Sequence, residues 1–185
     1  MPKLMVFNSM SLDGFIADCK GDMSWAHKRD DEWNSFVAGN ASGRGVLVVG
    51  RKTYDMMAGY WPTPMAAENA PVVAKRMNEL QKIVFSRTME KALWQNTTLL
   101  KGHLGTEVKR LKQQPGPDLV ILGSASIVTQ LSDARLIDEY QVALAPILLG
   151  AGRSMFAAIR EKLALRLAGT RSFRNGTVFL TYHRA

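Results

Sequence analysis

The sequence predicts an α/β fold, a mostly parallel central sheet closed by an antiparallel carboxyl-terminal edge, and two observations carry that expectation. Short β-branched or apolar runs alternate with helix-length segments along the chain, the pattern of βαβ units. Near the end, Arg174-Asn175-Gly176 separates two strand-like runs, and Asn-Gly is strong hairpin chemistry. The 185 residues suit one domain, and no compositional break divides them. With 46% hydrophobic and 22% charged residues, the chain has the balance of a folded globular protein and not of a disordered or fibrous one.

Each element has its own reason. Lys3 to Asn8 is a short apolar run that leads to turn chemistry at Asp13-Gly14, and reads as the first strand. A helix follows over Asp30 to Ala38, where Trp33, Phe36 and Val37 recur at helical spacing behind acids that suit a helix N-terminus. Val46-Leu-Val-Val49 is continuous and β-branched, as a strand covered on both faces should be, and Gly50 closes it. A helix is expected over Thr53 to Met57, strands over Lys82 to Phe85 and Thr97 to Leu100, and a helix over Thr106 to Gln113 that stops before Pro115-Gly116-Pro117. Asp118 to Leu122, a small-residue turn and a helix over Ile127 to Leu131 repeat the plan. Leu136 to Leu149 holds a further strand, with Pro146 at its end or at a bulge. Leu163 to Phe173 and Thr177 to His183 are the antiparallel pair, and Pro62 to Pro71 reads as a surface loop.

Lys and Arg number 24 against 16 Asp and Glu, a net charge of +8. The surplus attracts anions without naming them: nucleic acid, a phosphorylated substrate or cofactor, or only solvent can answer it. No RNA-binding signature, zinc-finger spacing or aromatic-rich basic run is present, which makes nucleic acid the minority reading. The single cysteine, Cys19, leaves no disulfide framework or Cys-rich zinc site and suits a reducing cytoplasm. Leu4 to Phe7 is too short for a signal peptide's apolar stretch, and Val142 to Gly152 is well below the ~20 residues of a membrane helix. A soluble cytoplasmic protein, bound to no membrane, is the expectation.

In open α/β sheets, ligands gather at the carboxyl ends of the strands, where helix N-termini offer free N–H groups to anions. Three turns qualify. Gly50-Arg51-Lys52-Thr53 supplies a flexible backbone, two cations and a hydroxyl; Ser86-Arg87-Thr88 has a similar kit; Gly123-Ser124-Ala125-Ser126 has side chains small enough for a pyrophosphate to approach. A P-loop fails by one residue, because Arg51 intervenes between Gly50 and Lys52 and a strand stands where that loop should be. The Rossmann fingerprint fails too, since Gly150-Ala-Gly152-Arg-Ser-Met155 lacks the third glycine. His27, His103 and His183 have no metal-ligand spacing, and no metal is expected.

Taken in order, Ser11-Leu-Asp-Gly-Phe-Ile-Ala17, Val49-Gly-Arg-Lys-Thr-Tyr54, Phe85-Ser-Arg-Thr88, Leu122-Gly-Ser-Ala-Ser126, Ile137-Asp-Glu-Tyr140 and Ala145-Pro-Ile-Leu-Leu-Gly-Ala-Gly152 with Phe156 resemble the dihydrofolate reductase superfamily. Within it, the chain is most similar to the branch that includes the reductase domain of the bacterial riboflavin-biosynthesis deaminase/reductase. The resemblance runs from Lys3 to nearly the end. It implies a dihydrofolate-reductase-like three-layer sandwich over residues 1–185 and NADPH as hydride donor to a C=N or C=O bond of a small-molecule substrate. At the matching positions Arg51 and Arg87, with Ser86 in the turn that ends at Thr88, would hold the adenosine 2′-phosphate. Lys52, Thr53 and backbone N–H groups from Gly123 to Ser126 would meet the pyrophosphate, and Ile16 and Ala17 would border the nicotinamide.

The resemblance also implies a carboxylate that assists proton delivery, five residues after a loop tryptophan. Trp25 plus five reaches Asp30, with Asp31 and Glu32 adjacent should the register slip. The same acids also suit a helix N-terminus with no catalytic part, and Trp33 and Phe36 read as core. Departures bear on the substrate. Val142 stands at or near the position where dihydrofolate reductases carry a hydroxyl, no arginine matches the one that grips folate's glutamate tail, and Met65 to Leu80 looks like an added helical insertion. Folate is therefore not the expected substrate. The deaminase half's zinc motif has no counterpart, so the bifunctional activity is not expected. The branch implies a homodimer built on Leu165 to Phe173 and Val178 to Tyr182. The competing reading is a noncatalytic protein that uses the same cleft for a phosphorylated ligand or nucleic acid.

Overall fold

The computed structural model describes residues 1–26, 30–41 and 45–185. Its sheet is built outward from β1 (Leu4–Ser11), which pairs in parallel with β6 (Leu119–Leu122) on one side and β7 (Glu139–Ala145) on the other. Beyond β6 lie β3 (Val46–Gly50), β4 (Lys82–Phe85) and β5 (Thr97–Leu100), all parallel. Beyond β7 come β10 (Val178–Arg184) and then β9 (Leu165–Ser172), each antiparallel to its neighbour. The order is β5-β4-β3-β6-β1-β7-β10-β9, a mostly parallel sheet with an antiparallel carboxyl-terminal edge.

Helices cover both faces. On one, α5 (Leu104–Gln113) and α6 (Ala125–Asp133) bury Val108, Val128 and Leu131 against Val6, Val48, Ile83 and Ile121. On the other, α2 (Arg51–Tyr60) and α4 (Pro71–Glu79) pack Tyr54 and Met77 on Leu47, Val49 and Val84. Val48 and Val49 are both fully buried and serve opposite clusters, which explains the unbroken apolar run of β3. Burial of each such side chain contributes roughly 1.5–3 kcal/mol. Farther along the second face, α1 (Asp31–Ala41) sets Trp33 and Phe36 among Phe7, Ala143, Phe173 and Phe179. Helices, sheet and helices form the three layers of a dihydrofolate-reductase-like sandwich. Among the described residues, no helix is long and apolar enough to cross a membrane.

Four expectations need correction. The first strand is not followed directly by a helix: β2 (Phe15–Ala17) intervenes and pairs with β8 (Arg153–Ser154), and a 3-10 turn at Ser24–Ala26 comes next. A three-residue strand is too short to show a period. Pro62 to Pro71 is not a loop, because α3 (Pro64–Asn69) lies within it. Pro64 and Pro71 each open a helix, where the missing N–H costs nothing, and Thr63 Oγ1 accepts from Ala66 N–H at 3.2 Å. The expected helical insertion from Met65 to Leu80 is thereby α3 and α4. Finally, α2 begins at Arg51 and α6 at Ala125, earlier than their apolar spacing suggests.

Lys82 carries a charge into the core. It is 1% exposed, and burial lowers its pKa to about 8. Its ammonium donates to the carbonyls of Met77, Asn78 and Leu80 at 2.9, 3.2 and 2.6 Å and lies 4.3 Å from the Trp94 ring centre. A cation thus caps the C-terminal end of α4, where the helix dipole favours it.

Candidate functional site

Because β4, β3 and β6 are parallel neighbours, their carboxyl ends bring the three turns to one rim of the sheet. Two helix N-termini meet there. Gly50 N–H donates to Ser124 Oγ at 2.9 Å, and Ser124 N–H donates to Thr53 Oγ1 at 3.1 Å. This reciprocal clasp needs consecutive left-handed residues, Gly123 at φ 57 and Ser124 at φ 53. A Cβ on Gly123 would stand 3.1 Å from Thr53, so the close approach selects glycine. Behind the turn, Asn8 Oδ1 accepts from Gly123 N–H at 2.6 Å, and Asn8 Nδ2 donates to Gly123 C=O at 3.1 Å.

Asn8 takes the N–H of Gly123 and the clasp takes that of Ser124, so of the four residues expected to face a pyrophosphate Ala125 and Ser126 keep theirs open at the start of α6. Arg51, Lys52 and Thr53 occupy the first turn of α2, and no acid accompanies them. Two cations at the positive end of a helix dipole are unfavourable for the helix itself but concentrate positive potential at the rim. Arg51 Nη1 donates to Thr88 Oγ1 at 2.7 Å and Arg51 Nε to Asp55 Oδ2 at 3.4 Å, which joins the first turn to the second. Ser86 Oγ accepts from Met89 N–H at 3.0 Å and shapes that second turn, while Arg87 is exposed. An open recess of about 820 Å³ runs from Arg51 between α2 and the segment Thr88 to Trp94. Another recess, about 490 Å³, lies at the opposite, amino-terminal ends of the strands beside Gln81, Asn96 and Gln114. There α5 presents its C-terminal end, which disfavours an anion.

Ile16 and Ala17 are buried in β2, which pairs with β8 directly after Gly152. Asp13 joins the two motifs: its carboxylate accepts from Ser11 Oγ at 2.6 Å, Gly150 N–H at 2.7 Å and Leu149 N–H at 3.0 Å. These bonds, Ser11's first, hold its pKa below the usual carboxylate value.

The family model of the RibD C-terminal domain matches residues 2–179 of this chain. The chain belongs to the RibD C-terminal domain family. It is 28% identical over 179 residues to the uncharacterized protein YyaP of Bacillus subtilis (strain 168), with 95% of this chain and 91% of YyaP covered. The structure of a proposed riboflavin biosynthesis protein of Shewanella sp. PV-4 superposes with a TM-score of 0.75 at 26% identity, covering 99% of both chains. The Thermotoga maritima diaminohydroxyphosphoribosylaminopyrimidine deaminase/5-amino-6-(5-phosphoribosylamino)uracil reductase shares the fold, with a TM-score of 0.69 at 15% identity. All of this chain is covered there and 57% of the larger protein.

In this RibD C-terminal domain the candidate acids lie at the start of α1. Asp30 Oδ1 accepts from Trp33 N–H at 2.7 Å and caps α1; Asp31 is exposed; Glu32 pairs with Arg171 at 3.0 Å. Among the described residues, no hydrogen bond or ion pair joins Asp30 or Asp31 to the turns. Trp33 stacks on Phe36 in a buried aromatic cluster, and His27 lies outside the described residues. Sequence reasoning missed Asn8, although a signal existed: it continues the core-facing alternation of Leu4 and Val6 with a polar residue.

Proposed function

We propose that this chain is an NADPH-dependent reductase that delivers a hydride to a C=N or C=O bond of a small heterocyclic or carbonyl compound. The observation that carries the reading is the pair of clasped helix N-termini with Arg51 and Lys52 in the first turn of α2 and no acid within that turn. Membership of a reductase-like family supports it. The donor set fits the dinucleotide. Arg51 and Arg87 would grip the 2′-phosphate, Arg51 being already held at Thr88, and Lys52, Thr53 and the first N–H groups of α6 would hold the pyrophosphate. Ile16 and Ala17 would wall the nicotinamide against water. NADPH, when bound, supplies the hydride; the chain supplies binding, orientation and exclusion of solvent.

Under the same proposal the protein works in the cytoplasm as a homodimer. Every residue of β9 is exposed, and Leu165 and Leu167 lie at the bare sheet edge that a second copy would cover. A monomer by light scattering at micromolar concentration would refute the dimer.

The deciding experiment compares NADPH and NADH by thermal shift, with Arg51→Ala beside the wild type. NADPH should raise the melting temperature more than NADH does, and Arg51→Ala should remove most of that difference. Equal shifts would overturn the cofactor assignment. A shift with phosphorylated compounds and none with either dinucleotide would favour a noncatalytic binding protein.

A further inference from the structure

We infer that Asn8 is a positioning residue for the dinucleotide pyrophosphate: from the strand behind, its side-chain amide sets the turn that aims the N-terminus of α6. The inference rests on the reductase reading above and deepens it.

The geometry begins with a broken ladder. β1 pairs with β6 only as far as Phe7 opposite Leu122, after which β1 runs on beside β7 and β6 turns away. At that fork the backbone groups of Gly123 lose their strand partner. A primary amide carries the same donor and acceptor as a peptide group. Asn8 presents it one residue beyond the last ladder pair, accepting from Gly123 N–H at 2.6 Å and donating to Gly123 C=O at 3.1 Å. Both partners being backbone groups of known polarity, the amide orientation is assigned without ambiguity. Its Nδ2 also lies 3.1 Å from Met155 Sδ, so the segment after the Gly150-Ala-Gly152 motif closes over the same side chain.

Asn8 is 5% exposed and shares its face of β1 with Leu4 and Val6, both fully buried. An apolar residue would satisfy that packing. The amide is retained where it holds Gly123 at φ 57, and with it Ser124 at φ 53, whose N–H and Oγ clasp Thr53 and Gly50. The chain of contacts therefore runs from Asn8 through Gly123 and Ser124 to the first turns of both helices. Loss of the amide frees the turn to rotate, and the N–H groups of Ala125 and Ser126 no longer converge with Arg51 and Lys52.

The test uses Asn8→Leu, which keeps the branched shape and removes both bonds, and Asn8→Asp, which keeps the acceptor and recovers a donor only when its carboxyl is protonated. NADPH affinity is read by calorimetric titration, and backbone amide exchange is read on the ligand-free protein. Asn8→Leu should still unfold cooperatively, bind NADPH about tenfold more weakly and exchange the Gly123 and Ser124 amides faster. Asn8→Asp should regain affinity as pH falls through the range of a buried carboxyl, a recovery the wild type does not show. Wild-type affinity with unchanged exchange in Asn8→Leu overturns the proposal, as does a flat pH profile in Asn8→Asp. Should the wild type itself bind no NADPH, the reductase reading fails separately. Amide exchange then still decides whether Asn8 sets the turn: faster exchange in Asn8→Leu upholds that role, unchanged exchange overturns it.

Discussion

Thr53, in the first turn of α2, and Ser124, the residue just before α6, tie two helix N-termini together: Ser124 N–H donates to Thr53 Oγ1 at 3.1 Å while Ser124 Oγ accepts from Gly50 N–H, just before α2. Neither side chain caps its own helix. Each satisfies a backbone group of the other strand–helix junction, so the relative placement of α2 and α6 is set by hydrogen bonds and not only by packing.

Thr53→Val tests that clasp. Valine keeps the shape beside Gly123 but leaves the N–H of Ser124, a buried residue, without its acceptor, at a cost of about 1–3 kcal/mol. The melting temperature should fall by several degrees, and NADPH should bind more weakly. Unchanged stability in a chemical denaturation series would mean that the clasp contributes nothing.

Asp30→Asn separates two roles of one side chain. Asparagine caps a helix about as well as aspartate, so stability should stay within roughly 0.5 kcal/mol. If the carboxylate also assists proton delivery, turnover on a substrate found by NADPH oxidation should drop while NADPH affinity holds. Asp31→Asn is the control, since successive helical residues point about 100° apart. Normal turnover in both variants would assign proton delivery to solvent or substrate.

Gly152→Ala should be among the most damaging changes outside the core. At φ 155, an added Cβ would stand 2.2 Å from the Ala17 carbonyl oxygen, so the β2–β8 pair could not form as it is. A loss of about 2–4 kcal/mol is expected. Wild-type unfolding by circular dichroism would show that the segment has another way to pack.

Lys82 makes stability depend on alkaline pH. Its folded pKa, pushed down to about 8 by burial, lies below the unfolded value of 10.5, so between these limits the unfolded chain binds more protons. Stability should therefore be level below pH 8 and rise toward pH 10.5, by roughly 3 kcal/mol at most. In Lys82→Met this increment should vanish. Parallel pH profiles for the two proteins, by thermal melting, would show that the three carbonyls and Trp94 fully compensate the buried charge.

Strand identity was legible because its cause is local. The β-branched run Val46 to Val49 can be covered only on both faces, and Asn175-Gly176 favours a hairpin whatever surrounds it. The three small or cationic turns were legible for the same reason, and parallel strand–helix alternation sends such turns to one rim. Pro62 to Pro71 was misread because proline breaks a helix interior yet opens a helix, and only the start position separates the two.

What the residues could not announce is which polar group meets which across the sheet. Asn8 and Gly123 stand 115 residues apart, and their pairing exists only because β1 and β6 part company after Leu122. The left-handed Ser124, the clasp on Thr53 and the approach of Gly152 to Ala17 arise likewise where distant segments close on one another. Local propensity and hydrophobic period account for the elements and for the small and cationic residues carried to the rim. Which N–H groups are spent internally and which remain open to a ligand is settled by the folded chain, because that partition is made by contacts between residues far apart in sequence.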